Sequence, residues 1–540
     1  MEQAINVGAI LDDIAANYPD RAVFMEVERD SALTTTTYGD LLETVNRRSL
    51  ELSERGIANG DIVLLLEPVS KQLYIDLLAL LKLGACALFL DPGMSTATMK
   101  NCLREVKPKA MIASGFYKIL ATVTGLSAEI DCSKKLDSDP VKALTEDSPA
   151  LITFTSGSSG RAKAIVRSHG FLRNQLAVLK KELAITETRI ELTALPMFVL
   201  ANIASGACTV LSKAGIKDPK KASVKVLKKE LSISGADSIL ASPSLVGNLV
   251  EYLKEENSAL LNLKTVFTGG GTVRADMIKA AARVFPEADI ITVYGSSEAE
   301  PIAHLKESES SQEDRDLSRR GAGLLVGSVI DEIELRVLPL DKPDDNVKRY
   351  TTHLKELHGD ACFEAQTGEI IVSGAHVVEH YLLKEDEIGR KLDLEGRRFH
   401  RTGDYGYLDS RGRLWLTGSV APGNNLSYAA EETARAVLKD NLQLAFYKNH
   451  LYIETRNSPG PAPVLFNRLR MALAFAGPTE ISTVANIALD RRHNTKVLYK
   501  ELERRALLSG RGRLFILGDQ GLIFRFFKSI NLRSRYAHRG

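Results

Sequence analysis

Cysteine is scarce in this sequence of 540 residues, and no two cysteines form a C-x-x-C pair. The five that occur are scattered along the chain: Cys86, Cys102, Cys132, Cys208 and Cys362. An odd number without paired spacing argues against a disulfide framework and against a cysteine-based zinc site. We therefore predict free, buried thiols in a protein of a reducing compartment.

An excess of charge of one sign is lacking as well. The chain has 70 Lys and Arg against 68 Asp and Glu, so its formal net charge is only +2. This balance gives no basis for nucleic acid as a partner, and none is expected. The first residues lack the basic start and apolar run of a signal peptide, and no stretch approaches the ~20 apolar residues that a spanning helix needs. We therefore expect a cytoplasmic protein, and 44% hydrophobic residues predict a globular enzyme with a sizeable core.

Apolar strands alternate with amphipathic helices through much of the chain. The early part predicts helices over 40–55 and 75–83 and strands over 61–66 and 85–90. Further apolar strands, each followed by a turn, are expected at 238–241, 265–267 and 290–293. Because this alternation is typical of layered folds with largely parallel sheets, we predict an α/β fold of layered sheets and helices.

The character of the sequence changes near residue 326, where short alternating strands begin. They are expected at 332–338, 368–374 and 414–416, and they predict a small β subdomain within the large N-terminal domain. A Pro-Gly-Asn-Asn stretch then suits a linker, and a smaller α+β domain follows it. The predicted division is a large domain at 1–417, an atypical hinge at 418–425, a small C-terminal domain at 426–508 and a basic aromatic tail at 509–540.

One apolar strand runs into a loop of small and hydroxyl residues, Thr155-Ser156-Gly157-Ser158-Ser159-Gly160. Such a loop lets backbone and hydroxyl donors approach phosphate oxygens closely, and Lys163 adds a cation. It is not a Walker loop, because the G-x-x-x-x-G-K-[S/T] spacing is absent. The alternative is a flexible Ser/Gly turn, but the preceding strand and the following lysine favour phosphate binding.

Two further strand ends carry turns that suit a nucleotide. Val293-Tyr-Gly-Ser-Ser-Glu298 places an aromatic ring, a glycine and a carboxylate where open α/β sheets bind ligands, which suits a nucleotide and its Mg²⁺. Thr268-Gly-Gly-Gly-Thr272 could accept a flat base against bare backbone. The alternatives are a strand-end turn with a solvated glutamate and a simple tight turn.

A fourth polar turn lies in His400-Arg-Thr-Gly-Asp404. A carboxylate accepts hydrogen bonds from hydroxyl groups, so Asp404 is a candidate for binding ribose. Asp404 could instead be a turn residue. The following Asp409-Ser-Arg-Gly412 is predicted to be a hairpin loop.

Together and in this order, these segments resemble the adenylate-forming (AMP-binding) superfamily of acyl-CoA synthetases, peptide-synthetase adenylation domains and luciferases. The phosphate loop, the Tyr-Gly-x-x-Glu turn and the Thr-Gly-Asp turn match, and so does a late segment that ends in Lys496-Val497. Earlier stretches agree as well: Thr37-Tyr-Gly-Asp-Leu41, Gly56-Ile-Ala-Asn-Gly-Asp61 and Leu80-Leu-Lys-Leu-Gly-Ala85. The resemblance covers residues 1 to about 508.

The resemblance implies an acid ligase that uses ATP and Mg²⁺ to form an acyl-adenylate and release pyrophosphate. The implied contacts are Thr155 to Gly160 and Lys163 with the ATP phosphates, Gly270, Gly271, Thr272, Tyr294, Gly295 and Ser297 with the nucleotide, Asp404 with the ribose, and Glu298 and Thr155 with Mg²⁺. Lys496, on a small domain that closes over the site, is implied to bridge the substrate carboxylate and the α-phosphate. This suits the chemistry, because in-line attack gathers charge on oxygens that a metal and a fixed cation stabilise.

Two stretches depart from the pattern of this family. Its last strand is normally followed by Gly-Arg and a hinge residue, whereas this chain has Gly418-Ser419 and Pro422. Ser419 lacks the donors of an arginine and Pro422 fixes φ, so the nucleotide contact and the hinge rotation are expected to differ. Phe198 and Val199 lie where amino-acid-activating relatives place Phe-Asp, so the pocket is expected to favour an apolar acyl chain. This stretch and the lysine segment look most like the fatty-acid-activating and β-lactone synthetase branch.

The function predicted from the resemblance is activation of a fatty or hydroxy-fatty acid, followed by transfer to CoA or an acyl carrier protein. One alternative is a β-lactone synthetase, which closes the acyl-adenylate on its own β-hydroxyl. Another is a degenerate nucleotide or acyl binder without full activity. The tail, rich in Arg and Phe, is expected either to be a helix packed on the body or a partly ordered end, or to attach to an anionic membrane or an acidic carrier protein.

Overall fold

Three sheets organise the part of the chain that the structure describes. The structure is a computed structural model, and it describes residues 6–91, 94–123, 144–156, 161–193, 195–214, 221–258, 260, 262–340, 367–421, 423–439, 442–455, 461–477, 479–489, 497–508, 515–517 and 522–524. One sheet has fourteen strands, and the other two have five strands each.

The first third of the chain builds one of the five-stranded sheets. This part of the chain contains α1 (Ile10–Asn17), β1 (Ala22–Val27), β2 (Leu33–Thr37), α2 (Tyr38–Glu54), β3 (Ile62–Leu66), α3 (Lys71–Lys82), β4 (Cys86–Phe89), α4 (Thr96–Val106), β5 (Ala110–Ala113), α5 (Gly115–Val123), β6 (Pro149–Ser156) and β7 (Ala162–Ser168). Strands β1 and β2 belong to the fourteen-stranded sheet. The strand order is β5-β3-β4-β6-β7, and every pair is parallel except β6 with β7. The hairpin of β6 and β7 therefore forms one edge of this sheet.

Capping side chains determine where the predicted helices of this region begin. Thr37 and Asp40 form a capping box, so α2 begins at Tyr38 and not at the predicted Asp40. Ser70 accepts a hydrogen bond from the backbone N–H of Leu73, so α3 begins at Lys71 and extends the predicted helix toward its N-terminus. The predicted helices are thus confirmed, with bounds set by caps that lie outside their apolar stripes.

The middle of the chain supplies most of the fourteen-stranded sheet. Its elements are α6 (His169–Glu182), β8 (Ile190–Thr193), α7 (Pro196–Ser205), β9 (Cys208–Leu211), α8 (Lys221–Ser234), β10 (Ser238–Ala241), α9 (Pro243–Glu255), β11 (Thr265–Gly269), α10 (Ala275–Val284), β12 (Asp289–Ser296), β13 (Ala299–Lys306), α11 (Gln312–Leu317), β14 (Leu324–Val329), β15 (Glu334–Pro339), β16 (Gly368–Ser373), β17 (Lys391–Leu394), β18 (Arg397–Leu408) and β19 (Arg413–Ser419). The order is β15-β16-β18-β19-β14-β13-β12-β11-β10-β8-β9-β1-β2, with β17 beside β18.

The strands predicted after residue 326 are present as β15, β16 and β19, and they belong to the large sheet. Strands β8 to β12 pair in parallel, and β13 then turns back along β12. From that reversal an antiparallel ladder continues through β14, β19, β18, β16 and β15. The predicted small β subdomain is therefore the antiparallel half of the large sheet.

The C-terminal part forms the third sheet with helices packed on it. Its elements are α12 (Ser427–Leu438), β20 (Leu444–Tyr447), β21 (His450–Glu454), α13 (Pro463–Ala472), β22 (Glu480–Val484), α14 (Tyr499–Leu508), β23 (Phe515–Leu517) and β24 (Leu522–Phe524). The strand order follows the chain from β20 to β24. The described part of the predicted tail, β23 with β24, thus extends this sheet as a hairpin and not as a packed helix.

Two expectations from composition can be compared with the structure. Cys86, Cys102 and Cys208 are buried free thiols, as predicted, whereas Cys132 and Cys362 lie outside the described residues. Among the described helices, none is both long enough and apolar enough to cross a membrane.

Candidate active site

A cleft of about 2230 Å³ lies where strands of the two N-terminal sheets end beneath helix α12. The predicted site residues in its lining are Thr155, Lys163, Gly270, Gly271, Thr272, Tyr294, Gly295, Ser297, Glu298 and Asp404. These residues come from β6 and β7, the turn after β11, the end of β12 with its turn, and β18. The fold therefore brings four separated motifs to one cavity.

The remaining predicted residues of the phosphate loop and the lysine segment are not described by the structure. Gly157, Ser158, Ser159, Gly160 and Lys496 lie outside the described residues, as does the side chain of Ser156. Their described neighbours flank the cleft, because Thr155 on one side and Leu489 and Val497 on the other contribute to its lining. Leu489 and Val497 face each other in an antiparallel bridge.

The hairpin of β6 and β7 places the predicted cation beside the hydroxyl that precedes the loop. Thr155 and Lys163 are direct cross-strand partners. Lys163 is only 6% exposed. Burial and the neighbouring guanidinium of Arg390 lower the pKa of Lys163, although Asp386 and Glu298 oppose this shift. Arg390 itself lines the cleft, so two cations converge here, an arrangement that favours a phosphate ligand.

Glu298 stands at the turn after β12, in a cluster of polar side chains. Its Oε1 accepts a hydrogen bond from the hydroxyl of Tyr381 at 2.9 Å. Burial alone would raise the pKa of Glu298, but His400, the hydrogen bond from Tyr381 and the nearby Lys391 together hold this pKa below its usual value. The carboxylate is therefore ionised at neutral pH.

A segment between β16 and β17 positions the Tyr381 hydroxyl. Val377 forms a bridge with Ala299 of the large sheet, while Tyr381 forms a bridge with Ile165 of the first sheet. The backbone N–H of Val378 also donates to the carbonyl of Glu298 at 2.8 Å. Because the segment is bound to both sheets, Tyr381 and Glu298 keep a fixed relative position.

Lys391 completes the cluster from β17. Its ammonium group donates a hydrogen bond to the carbonyl oxygen of Val378 and lies 5.5 Å from the centroid of the Tyr381 ring. Burial lowers the pKa of Lys391 to about 8, although Glu298 opposes this shift. Burial also lowers the pKa of His400, its cross-strand neighbour, to about 4. The imidazole is therefore neutral at pH 7, where Lys391 carries the positive charge beside Glu298, and His400 stabilises the Glu298 carboxylate by its charge only in acid.

Asp404 sits on β18 directly after Gly403, whose φ of +76° is a left-handed value that favours glycine. Its carboxylate accepts hydrogen bonds from two tyrosine hydroxyls, Tyr294 at 2.9 Å and Tyr428 at 3.4 Å. Its backbone N–H donates to the hydroxyl of Thr402 at 3.1 Å. Asp404 is thus held in place by side chains and faces the cleft.

An arginine ties the Glu298 turn to the phosphate-loop hairpin. Arg167 on β7 donates to the hydroxyl of Thr153 at 2.7 Å and to the carbonyl of Ser297 at 2.6 Å. The Glu298 turn and the hairpin that carries the predicted phosphate loop are therefore linked by a residue that belongs to neither motif.

The two residues predicted to line the acyl pocket are buried in the hydrophobic core. Phe198 and Val199 are 4% and 1% exposed and belong to the hydrophobic core around α7. Neither contributes to the described lining of the cleft.

Ser419 lines the cleft, but its hydroxyl donates inward to the carbonyl of Gly403 at 3.0 Å. Pro422 lies outside the described residues.

The donor set fits a magnesium ion. Glu298 offers an ionised carboxylate on the cleft surface, and Thr155 offers a hydroxyl from the facing hairpin. Mg²⁺ prefers hard oxygen ligands and is usually held by one or two carboxylates together with substrate phosphates. Glu298 and Thr155 would therefore hold Mg²⁺ alongside the phosphates.

Residues 11–382 match the model of a family described as AMP-binding enzyme. The chain belongs to this family. Olefin β-lactone synthetase of Xanthomonas campestris pv. campestris is 26% identical over 412 residues, which are 71% of this chain and 72% of that protein. Olefin β-lactone synthetase of Stenotrophomonas maltophilia is also 26% identical, over 77% of this chain and 80% of that protein. Like other AMP-binding enzymes, this protein is an AMP-forming ligase, and the family uses ATP and Mg²⁺.

A solved structure confirms the predicted fold class of this AMP-binding enzyme. O-succinylbenzoate coenzyme A synthetase from Bacillus subtilis, in complex with ATP and magnesium, has a TM-score of 0.68 to this chain at 19% identity. The match covers 92% of this chain and 99% of that structure. At this identity the likeness concerns the fold, a large sheet-containing domain followed by a smaller C-terminal domain.

Four residues at or beside the cleft of this AMP-binding enzyme were not predicted from the sequence: Arg390 and Tyr428 line it, while Tyr381 and Lys391 surround Glu298. Only Lys391 and Arg390 carried a usable signal, as adjacent cations in the segment before the Thr-Gly-Asp turn. The two tyrosines belong to no motif, and they reach the site through long-range packing.

Proposed function

We propose that this protein activates a β-hydroxy fatty acid with ATP, and that the acyl-adenylate then closes on its own β-hydroxyl to give a β-lactone. The observation that carries the first step is the meeting of Lys163, Glu298 and Asp404 in one cleft, although they belong to different sheets and motifs. Each supplies a different need of bound ATP: charge balance at the phosphates, a metal ligand and a hydroxyl acceptor for the ribose.

In the first step, a carboxylate oxygen of the acid attacks the α-phosphorus of ATP. The bond from that phosphorus to the bridging oxygen breaks, and pyrophosphate leaves with the electron pair. Lys163 balances charge on the departing phosphates, and Lys496 is proposed to stabilise the α-phosphate oxygens. When bound, Mg²⁺ neutralises further charge on the phosphate oxygens, held by Glu298 and Thr155.

In the second step, the β-hydroxyl oxygen of the same substrate attacks the acyl carbon and loses its proton. The acyl carbon–oxygen bond to AMP breaks, so a four-membered lactone and AMP are the products. Support for this step comes from the two relatives that are olefin β-lactone synthetases and that align with over 70% of this chain. The proposal keeps the preference for an apolar acyl chain that Phe198 and Val199 predict. Both side chains lie in the hydrophobic core and do not line the cleft.

The linker favours an internal nucleophile over CoA or a carrier thiol. Thr417 donates to the carbonyl of Asn425 at 2.7 Å, and the N–H of Ser419 donates to the hydroxyl of Ser427 at 3.3 Å. A rotation that opens a second acceptor site would break these contacts together with the bond from Tyr428 to Asp404. A substrate with its own hydroxyl needs no such site, so transfer to a thiol is the second candidate.

Acid-dependent ATP–pyrophosphate exchange tests the first step, with matched pairs of saturated and β-hydroxy acids and an amino acid as control. We expect exchange with medium or long acyl chains and none with the amino acid. For the second step, we expect stoichiometric AMP release without any thiol for β-hydroxy acids alone, with a product that has lost one water by mass. Nucleotide binding without exchange for any acid would instead indicate a degenerate binder, and strictly CoA-dependent AMP release would indicate thioester formation.

A further inference from the structure

The carboxylate of Asp404 is held by tyrosines from two distant parts of the chain. Tyr294, at the end of β12, donates its hydroxyl to Oδ2 at 2.9 Å. Tyr428, in the first turn of α12, donates to Oδ1 at 3.4 Å.

Both tyrosines remain hydrogen-bond donors over the working pH range. Burial raises the pKa of each hydroxyl well above its usual value, and the negative charge of Asp404 raises it further. Neither phenol can therefore ionise near neutral pH and repel the carboxylate. Both rings also line the cleft, where a bound nucleotide would contact Asp404.

The position of Tyr428 depends on two parts of the protein at once. On one side, Ser427 accepts a hydrogen bond from the N–H of Ser419 on β19, directly beside Tyr428. On the other side, Ala430 and Ala434 of α12 belong to the core of the C-terminal sheet. Tyr428 therefore reaches Asp404 only when the first turn of α12 is seated against β19.

We propose that Tyr428 is a positioning residue, which orients Asp404 toward the ribose hydroxyls and links ribose binding to the seating of helix α12. This inference rests on the proposed nucleotide site, in which Asp404 binds the ribose. Tyr428 donates to one oxygen while Tyr294 donates to the other, so the plane of the carboxylate is fixed from two directions. The small C-terminal part thereby contributes a side chain to the sugar end of the site, in addition to the lysine expected from Lys496.

The test is a binding cycle that combines Tyr428→Phe with the removal of the ribose hydroxyls. Affinities of wild type and Tyr428→Phe are measured for ATP and for 2′,3′-dideoxy-ATP by calorimetry. Loss of one hydrogen bond to a charged group predicts about tenfold weaker ATP binding by the variant. If Tyr428 acts through the ribose, both proteins bind the dideoxy nucleotide with the same affinity.

Tyr452→Phe is the matched control, since Tyr452 lies on β21 of the C-terminal sheet, is not among the cleft-lining residues and stacks on His450 at 4.1 Å between ring centroids. It should bind both nucleotides like wild type. An equal loss for ATP and the dideoxy nucleotide in Tyr428→Phe, or no loss for either, would overturn the positioning role. A wild type that binds ATP but does not distinguish it from the dideoxy nucleotide would refute the ribose role of Asp404 and the inference with it. A wild type that binds neither nucleotide would refute the proposed function itself.

Discussion

Replacing Glu298 by glutamine removes one negative charge from the polar cluster of the cleft and keeps the shape of the side chain. The amide oxygen of glutamine can still accept the hydrogen bond that Tyr381 donates to Glu298 at 2.9 Å. What is lost is the charge that would ligate Mg²⁺ and that favours the protonated form of Lys391. The variant therefore separates a catalytic effect from a packing effect.

The cost to stability has an upper limit set by Lys391. Its pKa is about 8 in the folded protein, so releasing its proton at pH 7 costs about 1.4 kcal/mol. If the loss of Glu298 raised the free energy of the protonated Lys391 side chain by more than about 1.4 kcal/mol, Lys391 would release its proton and become neutral instead. We therefore expect the free energy of unfolding at pH 7 to fall by at most about 1.4 kcal/mol from this cause.

The cost to catalysis should be larger. Removing one group that stabilises transition-state charge typically lowers the rate by about 100- to 1,000-fold, or about 2.7–4 kcal/mol. ATP–pyrophosphate exchange as a function of Mg²⁺ concentration measures this loss, and urea unfolding measures stability. Glu379→Gln is the control, because Glu379 also interacts with Lys391 but is 73% exposed and is not among the cleft-lining residues. Exchange at the wild-type rate in Glu298→Gln would refute the metal assignment.

Three further outcomes are expected. Lys496→Ala should lower adenylate formation by about 100- to 1,000-fold in pyrophosphate exchange and leave the ATP affinity nearly unchanged; equal loss of both would place Lys496 in binding. The pKa of Lys391 falls from 10.5 to about 8 on folding, so between pH 8 and pH 10.5 the folded protein binds fewer protons than the unfolded chain. The free energy of unfolding should therefore rise with pH over this range, by up to about 3 kcal/mol. Urea unfolding of Lys391→Met should lack this rise, and an unchanged pH profile would contradict the assignment. Deleting residues 525–540, which leaves the β23–β24 hairpin in place, should reduce sedimentation with anionic liposomes in a salt-sensitive way without loss of adenylation, whereas unchanged sedimentation would favour a tail packed on the body.

Local sequence patterns were sufficient to predict where the main polar groups would meet. Thr155 and Glu298 lie at or just after the ends of apolar strands, which in an α/β fold converge on a common edge, whereas Asp404 lies within β18, directly after Gly403. The strands at 238–241, 265–267 and 290–293 were also predicted correctly, because buried parallel strands are continuous apolar runs. These features depend on periodicity and local composition, which a single sequence contains.

The pairing of the later strands could not be predicted in the same way. A short alternating strand such as β15 or β19 suits a separate sheet as well as the edge of a larger one, because its pattern fixes which face is buried and not which strand is its neighbour. The reversal at β13 decides this question, and it depends on the turn between Ser296 and Ala299, which follows a register shift between Tyr294 and Ser296. The strands of the small β subdomain were therefore predicted correctly, whereas the sequence left open which strands they pair with.

The residues that hold Glu298 and Asp404 in place are the hardest to predict from the sequence. Tyr381 reaches Glu298 across 83 positions, and Tyr294 reaches Asp404 across 110 positions. Tyr428 lies only 24 positions from Asp404, yet its contact depends on a turn of α12 that packs against β19. A sequence motif identifies a group that contacts the ligand directly. A supporting hydroxyl has to lie only at the right point in space, and a residue from many different parts of the chain can place it there. The altered linker shows the consequence: the loss of an arginine at Ser419 is visible in the sequence, but the tyrosine that occupies the neighbourhood of Asp404 becomes evident only when α12 is seen packed against the large sheet.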